Sequence, residues 1–218
     1  MAIIIALFVI CAMFSGTYAS DPDMLQDVCV ADLTSGVKVN GYPCKKAGNV
    51  SASDFFYSGL AKAGMTNNTM GSVVTAANVE KIPGLNTLGV SISRIDYAAG
   101  GLNPPHTHPR ATEMVFVLEG ELEVGFITTA NVLISQTIKK GDIFVFPRGL
   151  VHFQKNNADV PATVLSAFNS QLPGTQSIAL TLFTSSPSVP DNVLTKAFQI
   201  GTKEVEKIKS KLAPKKSS

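Results

Sequence analysis

The chain has 218 residues, of which 45% are hydrophobic and 16% are charged, and its net charge at pH 7 is +2. This composition excludes a long disordered protein, and the length suits one domain that buries a sizeable core. A charge so close to balance argues against a nucleic acid as partner, because nucleic-acid-binding surfaces are strongly basic.

The first 19 residues, MAIIIALFVICAMFSGTYA, contain no charged side chain. Their apolar run is shorter than the roughly 20 residues that cross a bilayer, so we expect no membrane span. Small residues precede a cleavage site after Ala19, with Ser20 as the alternative site, and residues 1–19 are therefore interpreted as a secretory signal peptide. A buried N-terminal helix is the other interpretation, because no Lys or Arg precedes the apolar run.

Residues 20–71 form a predicted N-terminal extension. Once the signal peptide and its cysteine are removed, Cys29 and Cys44 remain. An even number of cysteines in a secreted chain favours one disulfide over two free thiols. Asn49 and Asn67 each begin an N-glycosylation sequon in polar, turn-rich sequence, and both are predicted glycosylation sites.

Residues 72–188 contain short strands separated by turns, which predicts a β-barrel or a double-sheet sandwich. The predicted strands are residues 88–97, 114–118, 121–127, 143–146, 162–168 and 177–183. The dipeptide Glu119-Gly120 predicts a two-residue hairpin between the second and the third of these strands. Two of the strands, MVFVL and IFVF, are apolar on both faces, so their outer face needs a cover and we expect an oligomer.

Residues 189–218 have the periodicity of helices and no longer that of strands. They predict two C-terminal helices, over DNVLTKAFQI and KEVEKIKSKL. Asp191 is the expected N-cap of the first helix, and Gly201 is the expected break between the two. These helices either pack on their own barrel or reach a neighbouring subunit. The last 18 residues carry six lysines and two glutamates, and this basic end is either simply solvated or in contact with a cell-wall polyanion or a membrane surface.

The three histidines of the chain fall in two short segments rich in Gly and Pro. His106 and His108 are separated by one residue, so on a strand they face the same side. Glu113 follows five residues later, and a bend at Pro109 is needed to return its side chain to that side. His152 lies far downstream and must come from the end of another strand.

Three imidazoles and one carboxylate would leave two positions open on a six-coordinate ion. This donor set has no thiolate and suits Mn(II) or Fe(II) better than Zn(II), which prefers four-coordinate sites. Open positions indicate chemistry with water, dioxygen, superoxide or a small chelating acid. Arg110 and Arg148 lie near these segments and either steer anions towards the ion or form surface salt bridges.

Two segments carry a resemblance to a known family. GGLNPPHTHPRATEMVFVLEG fits the germin form of the first cupin motif, G-x5-H-x-H-x4-E-x6-G, and GDIFVFPRGLVHFQKN fits the second, G-x5-P-x-G-x2-H-x3-N. Together with SDPDMLQDVCVADL and LTLFTSSPSVPDNVLTKAF, they make the chain resemble the germin-like proteins over essentially its whole mature length.

The resemblance implies an all-β fold, a cupin β-barrel of the jelly-roll, double-sheet type over residues 72–188, with a small C-terminal α-helical segment. It implies a disulfide between Cys29 and Cys44, and a homohexamer built as a trimer of dimers. It also implies secretion to the apoplast or cell wall of a plant, with a role in defence. The implied ligands of a Mn(II) ion are His106, His108, Glu113 and His152.

The activities known in the family leave several functions open. Superoxide dismutase activity, which produces H2O2, asks least of the pocket, because superoxide is a small anion. Oxalate oxidases place two asparagines beside the metal; Asn103 matches one, which makes it a candidate second-sphere catalytic residue, whereas Ser93 replaces the other. A hydroxyl offers one donor where an amide offers two, so oxalate oxidation is disfavoured. A nucleotide-sugar phosphodiesterase and a non-catalytic cell-wall receptor or structural protein remain alternatives.

Overall fold

The structure, a computed structural model, describes residues 26–38 and 40–214. The predicted signal peptide and its cleavage site lie outside the described residues. Within them the β-strands are Ser72–Ala77 (β1), Ser91–Tyr97 (β2), Leu102–Thr107 (β3), Glu113–Glu119 (β4), Glu121–Ile127 (β5), Leu133–Lys139 (β6), Ile143–Phe146 (β7), His152–Lys155 (β8), Ala162–Phe168 (β9) and Gln176–Ser177 (β10). The α-helices are Ile178–Phe183 (α1), Asp191–Phe198 (α2) and Thr202–Leu212 (α3), and short 3-10 helices cover Ala47–Asn49, Ala52–Phe55 and Pro83–Leu85.

The strands form two five-stranded antiparallel sheets, which confirms the predicted all-β, double-sheet fold. The first sheet has the strand order β1-β2-β9-β4-β7 and the second has the order β10-β3-β8-β5-β6. Alternate residues of each strand point between the sheets, as the strictly alternating burial of β9 illustrates. The apolar core between the sheets consists of Ile95, Tyr97, Val115, Val117, Leu122, Val124, Ile138, Phe146, Ala162 and Val164.

The outer face of the first sheet carries an exposed apolar patch. Met114 pairs with Val145 and Phe116 pairs with Ile143 across β4 and β7, and these side chains are 38% to 55% exposed. They alternate with buried residues of the same strands, which explains why both strands look apolar on both faces in the sequence.

The predicted hairpin at Glu119-Gly120 is wrong. β4 ends at Glu119 and β5 begins at Glu121, but the two strands belong to different sheets. Gly120 has a φ of +77°, and a Cβ atom there would lie 2.8 Å from the Cβ of Ala162. The glycine therefore lets the chain turn a corner between the sheets while it stays in close contact with β9.

The predicted strand over residues 177–183 is also wrong for most of its length. Only Gln176–Ser177 pairs with β3, and Ile178–Phe183 forms the helix α1. The short apolar run of this segment is compatible with either structure, so sequence periodicity does not distinguish them. The packing of Phe183 against Leu194 and Val205 of the following helices decides in favour of the helix.

The N-terminal extension is joined to the barrel beside its disulfide. Cys29 and Cys44 are bonded, which confirms the predicted pairing. The side-chain amide of Asn86 donates to the carbonyl of Tyr42 at 2.8 Å and accepts at its oxygen from Gln171 Nε2 at 3.1 Å. The disulfide loop is thereby tied to the segment around residues 170–174.

The C-terminal helices share a small core of their own. α1 lies against β3 and β10, and α3 packs on α1 and α2. Gly201 separates α2 from α3 as predicted, but Asp191 is the first residue of α2 and Pro190 holds the N-cap position. The Asp191 carboxylate instead accepts a hydrogen bond from Lys209 Nζ of α3 at 2.6 Å. Among the described residues, none of the helices is long and apolar enough to cross a membrane.

Candidate metal centre

Four side chains from both sheets converge at one end of the space between them. His106 lies near the end of β3 and His108 just after it, while His152 begins β8 of the same sheet. Glu113 begins β4 of the opposite sheet. A turn at Pro109 carries the chain across, so the bend predicted there brings the carboxylate back to face the histidines.

A β-bulge in β3 aims Asn103 and His106 into the same interior. Asn103 pairs with Gln154 and His106 pairs with His152, so three steps along β3 match two steps along β8. Without the extra residue, the odd offset would place the two side chains on opposite faces of the sheet. The double proline between them lacks both backbone N–H groups, which suits a position where ladder pairing is interrupted.

The four side chains form a compact and almost completely buried cluster. The atoms with which they can bind a metal all lie within 4.8 Å of one another. Their exposed fractions are 2% for His106, 6% for His108, 1% for Glu113 and 1% for His152. Glu113 Oε2 lies 3.0 Å from Nε2 of both His108 and His152. The sequence therefore predicted a group of residues that the fold does bring together.

A backbone carbonyl holds Nδ1 of each of the three imidazoles. The Nδ1 contacts are His106 with Pro104 at 2.8 Å, His108 with Gly174 at 2.5 Å, and His152 with Leu150 at 2.9 Å. Because a carbonyl oxygen only accepts, Nδ1 carries the proton in each ring. The three Nε2 lone pairs are then left to point towards the centre of the cluster.

This arrangement needs a positive charge at its centre. A neutral imidazole has one proton and Nδ1 keeps it, so Glu113 Oε2 would otherwise face the lone pairs of His108 and His152 at 3.0 Å. Full protonation of the rings would gather several buried positive charges, which is costly. A cation bound by three nitrogens and one oxygen satisfies every donor atom at once. The residues present therefore fit a metal ion.

The local electrostatics keep these groups in the forms that bind metals. Burial lowers the pKa of His106 from 6.5 to about 4, because it disfavours the charged form of the ring. Burial alone would raise the pKa of the Glu113 carboxyl, but the close contacts of Oε2 with the rings of His108 and His152 outweigh that effect and hold the pKa well below its usual value. At neutral pH His106 is therefore neutral and Glu113 is ionised, as metal coordination requires.

The second oxygen of Glu113 is held by residues that the sequence did not point to. Glu113 Oε1 accepts hydrogen bonds from Ser166 Oγ at 2.7 Å and from Gln154 Nε2 at 3.1 Å. Gln154 Oε1 in turn accepts from the Tyr97 hydroxyl at 3.1 Å and from Asn103 Nδ2 at 2.7 Å. Burial and then the charge of Glu113 raise the pKa of Tyr97 well above its usual value, so the phenol keeps its proton and remains a donor.

These supporting residues left a weak signal in the sequence. Ser166 is a lone polar residue at an inward position of the strand ATVLSAF, between Val164 and Phe168. Gln154 lies two residues after His152 and so shares its face. A polar side chain at an inward position of an apolar strand needs a buried partner, and that rule would have singled out both residues.

A cavity of about 170 Å³ lies beside the cluster and is lined by both residues that the sequence had marked for substrate binding. Ser93 is 6% exposed, and its hydroxyl makes no hydrogen bond within the part of the chain that the structure describes. The amide of Asn103 is tethered to Gln154. Phe168 and Leu172 contribute apolar walls. The cavity thus offers a small ligand one unpaired hydroxyl and one tethered amide.

The two arginines near the site are exposed and tied to backbone carbonyls. Arg110 Nε donates to the carbonyl of Leu172 at 2.7 Å, and Arg148 Nε donates to that of Pro109 at 3.0 Å. Arg110 follows His108 by two residues and Arg148 precedes His152 by four, so both lie on segments that flank the cluster. A role for them in steering anions stays a prediction.

Comparison with known proteins identifies the family. The cupin family model matches residues 58–206. Germin-like protein 5-1 of rice (Oryza sativa subsp. japonica) is 72% identical over 213 residues, which cover 98% of this chain and 96% of the rice protein. The chain belongs to the germin-like proteins of the cupin superfamily. The two motifs quoted above had predicted this membership.

Further matches show how varied the relatives of this germin-like protein are. The rhicadhesin receptor of pea (Pisum sativum) is 73% identical over 194 residues, which cover 89% of each chain. Among solved structures, recombinant oxalate oxidase in complex with glycolate matches with a TM-score of 0.86 and 49% identity, covering 89% of this chain and 98% of that one. The shared fold and the cluster of three histidines and one glutamate together imply a bound metal in this germin-like protein.

Proposed function

We propose that this germin-like protein is a manganese-dependent superoxide dismutase that acts outside the cell. The observation that carries the proposal is the buried set of three nitrogen donors and one oxygen donor, which suits a redox-active ion such as Mn(II). Four protein donors leave two positions of a six-coordinate ion for a small anion and water. The reaction consumes two superoxide ions and two protons and yields O2 and H2O2.

A bound manganese ion would supply one-electron chemistry, because it is stable in more than one oxidation state. The protein fixes the donor atoms, since the backbone carbonyls at Nδ1 set the orientation of each imidazole. The unpaired Ser93 hydroxyl is placed to donate a hydrogen bond to a small anion in the cavity. Water that enters the same cavity supplies the protons.

Oxalate oxidation is disfavoured for this cavity in spite of the structural likeness to oxalate oxidase. Oxalate carries two carboxylates and needs several hydrogen-bond donors, whereas Ser93 offers a single hydroxyl proton. One amide proton of Asn103 is already donated to Gln154. Loss of one well-placed donor reduces catalytic rates by about 100- to 1,000-fold in other enzymes.

A non-catalytic receptor or structural role in the cell wall is the second candidate. The 73% identity with a pea protein named as a rhicadhesin receptor favours it. In that case the metal would stabilise the barrel, and the cavity would not turn over superoxide. The two candidates differ in one measurable property, the rate of superoxide disproportionation per bound metal.

We further propose secretion to the apoplast and assembly into a glycosylated homohexamer, a trimer of dimers. The disulfide is typical of an oxidising compartment. Both sequon asparagines, Asn49 and Asn67, are exposed. The exposed apolar patch on β4 and β7 needs a cover, and a second copy of the chain would supply one.

The decisive experiment measures three quantities on one purified, manganese-loaded sample: metal content, superoxide disproportionation and oxalate-dependent H2O2 release. We expect about one manganese ion per chain, rapid disproportionation and little H2O2 from oxalate. The dismutase proposal fails if the loaded protein is no faster than the same concentration of free Mn(II).

Two variants identify the source of any activity that is seen. His106→Ala should lose metal and activity together, and activity retained in that variant would come from a contaminant. Thr107→Ala is the matched control, because Thr107 is the next residue on β3 and faces away from the cluster. It should keep both metal and activity.

A further inference from the structure

We propose that Ser166 is a positioning residue that restricts Glu113 to one metal-binding oxygen and so keeps a coordination position open for substrate. The inference rests on the manganese ion proposed above, but on no particular reaction at it. It concerns a side chain that neither cupin motif includes, on a strand that supplies none of the four metal-binding side chains.

The two oxygens of Glu113 have different surroundings. Oε2 faces the imidazole nitrogens of His108 and His152 at 3.0 Å. Oε1 is surrounded by hydrogen-bond donors instead: it accepts from Ser166 Oγ at 2.7 Å and from Gln154 Nε2 at 3.1 Å. With both hydrogen bonds made, Oε2 is the oxygen left for an ion.

Ser166 makes the shorter of the two hydrogen bonds to Oε1. A hydroxyl that donates to an ionised carboxylate forms a charge-assisted bond, and such bonds are about twice as strong as neutral ones. Ser166 and Gln154 are both 0% exposed, so Oε1 takes its hydrogen bonds from the protein.

The strand register explains how a residue of β9 reaches Glu113. Phe168 is the direct neighbour of Glu113 across β4 and β9, and Val115 is the direct neighbour of Ser166. Ser166 is therefore the diagonal neighbour of Glu113 on the inward face, within reach of a long side chain. The short serine leaves room for the carboxylate, whereas a larger residue at this position would occupy that space.

Loss of the serine hydroxyl should change how Glu113 binds the ion. Carboxylates bind metals through one oxygen or through both. With only the longer hydrogen bond from Gln154 left, Oε1 is held less firmly and can turn towards the ion. A carboxylate that binds through both oxygens closes one of the two open positions. Ser166 thus acts through Glu113 and touches neither the ion nor the substrate.

The test compares manganese-loaded wild type with Ser166→Ala, and the readout is water bound directly to the ion. This is measured by the relaxation of water protons and by the electron paramagnetic resonance spectrum of Mn(II). Binding through both carboxylate oxygens should lower the relaxation effect per bound ion by roughly half, because one of about two coordinated waters is lost. The spectrum should change at the same time.

Thr163→Val is the matched control. It lies on the same strand, and its hydroxyl also donates to a carboxylate, that of Asp96 at 3.0 Å, outside the site. Its relaxation effect and spectrum should equal those of wild type. Ser166→Cys, which keeps a similar volume with a weaker donor, should give intermediate values, and it decides the question if the alanine variant does not fold.

The inference is overturned if Ser166→Ala or, failing that, Ser166→Cys binds manganese with wild-type relaxation and an unchanged spectrum. Superoxide disproportionation is measured separately on the same samples. A wild type that lacks this activity, while its relaxation effect still falls in the Ser166 variants, would remove the proposed reaction and support the role of Ser166.

Discussion

The space between the two sheets has two ends of opposite character, although the same strands build both. At one end β4 and β9 supply Val117 and Val164, which are part of an apolar core. At the other end the same strands supply Glu113 and Ser166, which hydrogen-bond to each other. The apolar end requires only residues of suitable size and hydrophobicity. The polar end requires specific partners for the buried donors and acceptors around Glu113.

This difference predicts that folding and function are separable along a single strand. Mutations at the apolar end should change the free energy of unfolding and leave the metal in place. Mutations at the polar end should change the metal and its chemistry. The following four changes test that separation.

Glu113→Gln should have the largest effect, because it replaces an anionic donor with a neutral amide of nearly the same shape. We expect manganese affinity to fall by more than the roughly 10- to 100-fold loss that follows removal of an outer hydrogen-bond partner. Isothermal titration with Mn(II) measures this effect. Wild-type affinity in the variant would contradict the assignment of Glu113 as a ligand.

Leu122→Ala tests the apolar end, where Leu122 is 0% exposed. Truncation of a buried leucine destabilises proteins by about 2–5 kcal/mol, because transfer energy is lost and a cavity remains. Chemical denaturation measures the change, and metal analysis of the folded variant should still find the wild-type content. Loss of metal without loss of stability would break the separation of the two ends.

The metal-free protein should lose stability as the pH falls from about 6.5 towards 4. The pKa of His106 is about 4 in the folded protein, because burial disfavours the charged ring, against 6.5 in an unconstrained chain. In this window the unfolded state takes up a proton that the folded state refuses, so the stability present above pH 6.5 declines by about 3 kcal/mol.

Denaturation of the chelator-treated protein at several pH values measures this dependence. His106→Asn has no titrating group at this position and should flatten the profile between pH 6.5 and 4. An unchanged profile in this variant would show that His106 is not the group responsible.

Ser93→Asn should have the smallest of the four effects. It tests whether the number of hydrogen-bond donors in the cavity limits oxalate oxidation. An amide at this position offers two donor protons where the hydroxyl offers one. We expect oxalate-dependent H2O2 release to rise by at least about 10-fold, because a well-placed donor contributes 100-fold or more in other enzymes. An oxidase assay on the manganese-loaded variant checks this. No rise would show that donor number at residue 93 does not limit oxalate oxidation.

The sequence predicted the donor set because ligands leave strong local patterns. Each of these patterns lies within a few residues of sequence. They are the spacing of His106 and His108, the turn at Pro109 and the Gly-Pro segment before His152. The apolar alternation of the strands predicted the two facing sheets for the same reason. These features depend on neighbouring residues, and the chain alone reveals them.

The parts that sequence did not predict depend on contacts between distant residues. Gly120 looks like a hairpin turn, but its contact with Ala162 makes it a corner between the sheets. Residues 178–183 look like a strand, but Leu194 and Val205 supply a helical partner. Ser166 became visible as a partner of Glu113 only once β9 and β4 were paired.

Metal analysis of the natively purified protein tests the central claim most directly. If three histidines and one glutamate hold a single redox-capable cation, the protein should contain about one manganese ion per chain, and Glu113→Gln purified in the same way should contain almost none. A wild-type protein that carries no transition metal, or a variant that keeps the full amount, would contradict the account.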